Sequence, residues 1–112
     1  IDGALGLRYS ADNEEMYREF LKMFCDMWPE KKERIEQYFA TGDWENYTIA
    51  VHALKSTSLS IGAKTLSEKA LALEQAGKAG DIALIREKHG DLSECYDKTV
   101  QEGVKRMEGT IV

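Results

Sequence analysis

Two of the 112 residues are histidines, and the sequence places them in opposite settings. His52 stands in the run His52-Ala53-Leu54-Lys55-Ser56-Thr57-Ser58-Leu59-Ser60-Ile61-Gly62-Ala63. On a helix advancing about 100° per residue, Tyr47, Ala50, Val51, Ser58 and Ile61 fall within roughly 60° of Leu54 and form a core stripe. His52 lies about 160° from Leu54, on a face shared with Glu45, Thr48, Ile49, Lys55, Ser56 and Leu59. Neutral imidazole is nucleophilic near pH 7. With a lysine one turn on, small hydroxyls around it and two aliphatics beside it, His52 reads as an exposed reactive group on a docking surface. His89 reads the other way. It falls on the apolar stripe Ile82, Ile85, Leu92, Tyr96, Thr99 and Gly103, where a structural role is expected.

The other reactive residue types form no constellation. Cys25 and Cys95 are distant in sequence, lack a CxxC partner and read as reduced thiols. Two cysteines and two histidines without ligand spacing argue against a zinc site. There is no GxxxxGK[ST] phosphate loop, and no acid–base pair or nucleophile triad can be assembled. Glu14, Glu15, Glu30, Glu33 and Glu36 with Lys31, Lys32 and Arg34 read as solvated helix faces with i,i+4 pairing. Met16, Met23 and Met27 are expected in the core.

These residues need helices to position them. A single proline, no hairpin signal and few β-branched runs favour an all-α chain. Asp12-Asn13-Glu14-Glu15 reads as a capping box with Asp12 as N-cap. The helix it opens carries Met16, Phe20, Met23, Phe24 and Met27 and ends near Trp28-Pro29. Pro29 suits the first turn of a short second helix over 30–40. Thr41-Gly42-Asp43 separates that from a third helix over 44–60, which carries His52 and stops at Gly62. A fourth spans 64–78, with Leu66, Ala70, Leu73 and Ala76 on one face, and Gly77, Gly80 and Asp81 break it from a fifth over 82–107. Gly90 costs that last helix about 1 kcal/mol, enough for a bend or break. Short connections make neighbours antiparallel. The expected fold is an antiparallel up-down four-helix bundle with an additional short helix packed across one end.

The length suits one domain over 1–112. A net charge of −5 argues against a nucleic-acid surface, which needs a basic stripe. No stretch approaches the roughly 18 apolar residues of a membrane span, and Ile1-Asp2-Gly3 opens no signal peptide. The first residue is not methionine, so a stand-alone protein and a piece of a longer one are both open.

The segment around His52 resembles the signature of histidine-containing phosphotransfer (HPt) domains. His52, Leu54, Lys55, Ser56, Gly62, Ala63, Leu66, Leu73 and Glu74 stand at matching places. Gly6-Leu7-Arg8-Tyr9, Asp12 and Tyr17-Arg18-Glu19-Phe20-Leu21 resemble the first helix of bacterial members. Ser56 departs from the glycine of many relatives but is small enough to leave the ring accessible. The resemblance implies a monomeric relay that accepts a phosphoryl group on His52 from one receiver-domain aspartate and returns it to another. Lys55 would offset the charge of the phosphate, and Ser56 would keep the ring accessible and could bond an imidazole nitrogen. Thr48, Ile49 and Leu59 would meet the partner, with the first helix alongside. The expected partners are response-regulator receivers and a hybrid sensor histidine kinase, of which this chain could be the carboxy-terminal domain. No intrinsic cofactor is expected, the Mg²⁺ residing in the receiver, and the location would be cytoplasmic, free or tethered to a sensor kinase. A carrier without kinase activity of its own follows. A non-catalytic bundle that docks a receiver or kinase is the alternative. An autokinase dimerisation domain would need a dimerising hairpin and a nucleotide-binding domain, for which the motifs are missing.

Overall fold

A computed structural model describes residues 1–109. The last three residues of the domain expected over 1–112 lie outside the described residues. The chain forms five helices, α1 (Gly3–Tyr9), α2 (Glu14–Thr41), α3 (Trp44–Ser60), α4 (Lys64–Ala79) and α5 (Ile82–Gly109), and no strand among the described residues. Helices α2 to α5 close a ring in which each packs on two neighbours, while α1 rests on α2 and α3. Pairs such as Glu36 with Ser93 and Cys25 with Val100 run in opposite senses along α2 and α5, so those helices are antiparallel. The expected up-down bundle with one extra short helix is present, but the short helix is a different piece of chain.

Residues 12–41 differ most from expectation. Asp12 adopts φ 59°, a left-handed conformation that no N-cap takes, and Asn13 caps α2 instead, its side chain accepting from the Met16 N–H at 3.0 Å. The two helices expected on either side of Pro29 are one helix of 28 residues. A proline inside a helix removes a hydrogen bond and costs about 3 kcal/mol. Tertiary contacts oppose that cost here. Pro29 faces solvent, and the residues on both sides of it hold one partner on α5. Asp97 accepts from Trp28 Nε1 at 2.9 Å and from Lys32 Nζ at 2.6 and 2.7 Å.

The same contacts turn α2 from the expected phase. Its buried residues are Leu21, Phe24, Cys25 and Ile35, with Tyr17 and Trp28 partly buried, whereas Met16, Met23 and Met27 are exposed. Gly103 of α5 lies against Leu21 and Cys25 and draws that side of α2 inward. Helix α5 runs unbroken through Gly90, which faces solvent with no neighbour where a Cβ would stand. Gly77, expected as part of a break, lies inside α4, and Gly80 at φ 71° forms the cap.

The turn from α3 to α4 is fixed by Gly62 and α1. Gly62 has φ 79°, and its carbonyl accepts the Asp2 N–H at 2.8 Å. A Cβ there would stand 1.9 Å from the Asp2 carbonyl oxygen. The Tyr17 hydroxyl donates to the Ile61 carbonyl at 3.0 Å, so α1, α2 and the turn after the His52 helix form one packed end.

Candidate functional site

Helix α3 turns as its periodicity dictates. Tyr47, Val51, Leu54, Ser58 and Ile61 are all buried, which sends His52 outward with its side chain 58% exposed. Across the groove, α4 presents Glu74, whose side chain is only 3% exposed. His52 Nδ1 lies 2.7 Å from Glu74 Oε1. A carboxylate can only accept, so Nδ1 carries a proton, and in the neutral ring it is Nε2 that keeps the lone pair. Among the described residues nothing bonds Nε2.

Two lysines share the carboxylate. Lys55 Nζ donates at 2.9 Å to Oε2 and 3.3 Å to Oε1, and Lys78 Nζ lies 3.3 Å from Oε1. The bonds from Lys55 and His52, with Lys78 beside them, outweigh burial and hold the Glu74 carboxyl at about 2, well below its ordinary 4.5. Glu74 therefore stays ionised and can orient the ring at any neutral pH.

Close packing brings these groups together. The Thr48 side chain occupies the place of a Gly77 Cβ, whose position lies 2.0 Å from Thr48 Oγ1. Two turns further along α3, Ser67 Oγ donates to the Lys55 carbonyl at 2.9 Å. Helices α3 and α4 are thus in near-backbone contact on both sides of the His52–Glu74 bond.

The other residues singled out in the sequence are placed unevenly. Ser56 is exposed beside the ring but does not bond it, because Glu74 holds Nδ1. Ile49 is 60% exposed on the side toward α2, and Leu59 is half-buried. Thr48 turns toward α4, its hydroxyl donating to the Trp44 carbonyl at 2.7 Å. Met23 and Met27, expected inside, line a groove between α2 and α3 with Phe20, Thr57 and Ser60. Glu74 and Lys78 were not singled out as site residues. The signal for Glu74 was present, since a carboxylate one turn beyond Ala70 interrupts the apolar stripe of α4.

His89 is buried, as its stripe requires. Its Nε2 lies 3.1 Å from Glu36 Oε1 and must donate to it, so Nδ1 accepts the Tyr47 hydroxyl at 2.9 Å. Phe39 stacks on the ring with centroids 3.9 Å apart. Both nitrogens are engaged, which leaves no lone pair for chemistry. Cys25 and Cys95 are free thiols, and among the described residues no three His, Cys, Asp or Glu side chains could hold a metal ion.

The profile of the Hpt domain family matches residues 19–102, well over half of the chain, and spans His52, Lys55, Glu74 and Lys78. The chain belongs to the Hpt domain family. A phosphotransfer-type role in phosphorelays goes with that membership. Searches of curated proteins and of solved structures give no match. In this Hpt domain the matched region begins within α2, so α1 lies outside it while its partner Gly62 lies inside. No described helix of the Hpt domain is long and apolar enough to cross a membrane.

Proposed function

We propose that His52 Nε2 takes a phosphoryl group from the phosphoaspartate of one receiver domain and passes it to the aspartate of another. The observation that carries this reading is the Nδ1–Glu74 bond, which leaves Nε2 as the exposed nucleophile. The Nε2 lone pair forms the N–P bond as the P–O bond breaks, and the aspartate leaves with the electron pair as carboxylate. No proton moves, because Nδ1 keeps its hydrogen. The ring becomes cationic as the bond forms, and the Glu74 carboxylate opposes that charge. Lys55 offsets the roughly two negative charges arriving on the phosphoryl oxygens. Such transfer depends on positioning and charge more than on covalent catalysis by the protein. In this reading the Mg²⁺ belongs to the receiver, and the Hpt domain acts as a monomeric carrier on the cytoplasmic side, free or tethered to a hybrid sensor kinase.

The receiver docks over His52 and the groove between α2 and α3. Ile49, Met23 and Met27 are apolar, exposed and unneeded by the core, and they supply the contact, with Leu59 and Thr48 at the α4 edge. Ile49→Asp should raise the dissociation constant more than tenfold, about 1.4 kcal/mol. Its melting temperature should stay within about 2 °C of wild type. Leu59→Asp, at a half-buried site, should weaken binding and lower the melting temperature together. Unchanged receiver affinity in Ile49→Asp would move the docking surface elsewhere.

Lys55→Ala should slow transfer about 5- to 30-fold, the effect of about 1–2 kcal/mol at a partly solvated phosphate. A rate equal to wild type would reduce Lys55 to a partner of Glu74. The reading as a whole is tested by mixing the protein with a phosphorylated receiver domain and a second, unphosphorylated one. Label should pass through the Hpt domain in acid-labile, alkali-stable form, and failure of any receiver to label it would overturn the reading.

A further inference from the structure

We propose that Lys78, at the end of α4, is a second cation for phosphorylated His52 and follows the phosphoryl group when it arrives. This inference rests on the phosphohistidine reading above. Lys78 is held loosely. Its side chain is 69% exposed, and its one ion pair among the described residues is at 3.3 Å to Glu74 Oε1, whereas Lys55 is 26% exposed and reaches both oxygens. Glu74 is buried and already held by Lys55 and His52, and a third, longer contact from a mostly solvated lysine adds little to stability, so the fold gives no strong reason for it.

Charge gives a better one. Glu74, Lys55, Lys78 and a neutral His52 together carry about one positive charge. Attack through Nε2 adds a ring cation and about two negative charges on the phosphoryl group, which brings the four residues close to neutral. Without Lys78 the phosphorylated site would be left about one negative charge in excess. That excess would lie beside an ionised carboxylate and near the negative end of α4, both of which repel a phosphate. His52 Nδ1 and Lys78 Nζ share Oε1 as partner, at 2.7 and 3.3 Å. The ammonium therefore lies within about 6 Å of Nδ1, and its flexible stem can carry it round the ring edge toward the new oxygens on Nε2.

The test needs no receiver. The full chain is phosphorylated with phosphoramidate, and the phosphohistidine signal is followed by phosphorus NMR against pH in wild type, Lys78→Gln, Lys78→Arg and Lys55→Gln. Removing a cation makes a neighbouring group easier to protonate. The titration midpoint in Lys78→Gln should therefore rise by about 0.3–0.5 pH unit, two- to threefold in the ionisation constant. Lys78→Arg should restore most of it, and about 1 M salt should shrink the difference. Melting temperatures of the unphosphorylated proteins should coincide. A midpoint in Lys78→Gln equal to wild type, with Lys55→Gln shifted, would overturn the role of Lys78 and leave His52 as acceptor. Absence of phosphohistidine on the wild-type chain would overturn both.

Discussion

A His52→Gln protein is expected to take up no acid-labile phosphate from a phosphorylated receiver, while melting within about 2 °C of wild type. The loss is complete because no other nitrogen is offered. His89, the only other imidazole, is buried with Tyr47 on Nδ1 and Glu36 on Nε2. The fold should tolerate the change, since His52 is exposed and glutamine retains a donor for Glu74. His89→Gln should behave oppositely, retaining the label while losing stability by about 1–3 kcal/mol as buried partners go unpaired. Label persisting on His52→Gln, or vanishing from a folded His89→Gln protein, would place the acceptor elsewhere.

Glu74→Gln is expected to slow phosphotransfer about 10- to 100-fold, by analogy with the carboxylates that orient metal-bound histidines. An amide can turn its oxygen to Nδ1, so the ring is not necessarily misplaced. What it cannot supply is the charge that opposes the ring cation, nor an anchor for Lys55 and Lys78. The substitution should also be legible in acid. The Glu74 carboxyl is held near 2 against an ordinary 4.5, so its contribution to stability is complete above the ordinary value and is lost as pH falls toward 2. Denaturant unfolding at pH 7 and near pH 3 should show wild type losing more stability between them than the variant. Single-turnover rates with a phosphorylated receiver measure the kinetic half. A rate within about twofold of wild type would reduce Glu74 to a structural acid.

Local sequence was informative where local forces decide the outcome. Asp43 and Gly42 set the start of α3, and Leu54 with its heptad neighbours set its phase, so His52 could be placed outward without any tertiary information. The same reasoning failed on α2. Asp97, more than sixty positions away in sequence, holds both flanks of Pro29, and no local propensity contains that contact. The methionines were misplaced for a related reason. Two apolar stripes run along α2, one facing α5 and one facing outward, and periodicity alone does not say which is covered. At the site, His52 and Lys55 were legible because they lie one turn apart on one helix. Glu74 and Lys78 come from another helix, and their relation to the ring exists only once α3 and α4 have packed.

That packing ties the chemistry to volume. The position of Glu74 beside the imidazole depends on how closely α3 and α4 approach, and the approach is set by Thr48 filling the space that any side chain at position 77 would take. Positions 48 and 77 therefore behave as one quantity of matter shared between two helices. Enlarging residue 77 while shrinking residue 48 should keep the spacing, but enlarging either alone pries the carboxylate from the ring. A designer wishing to retune this nucleophile could work one turn away from it, by adjusting bulk at a seam that contains no reactive atom.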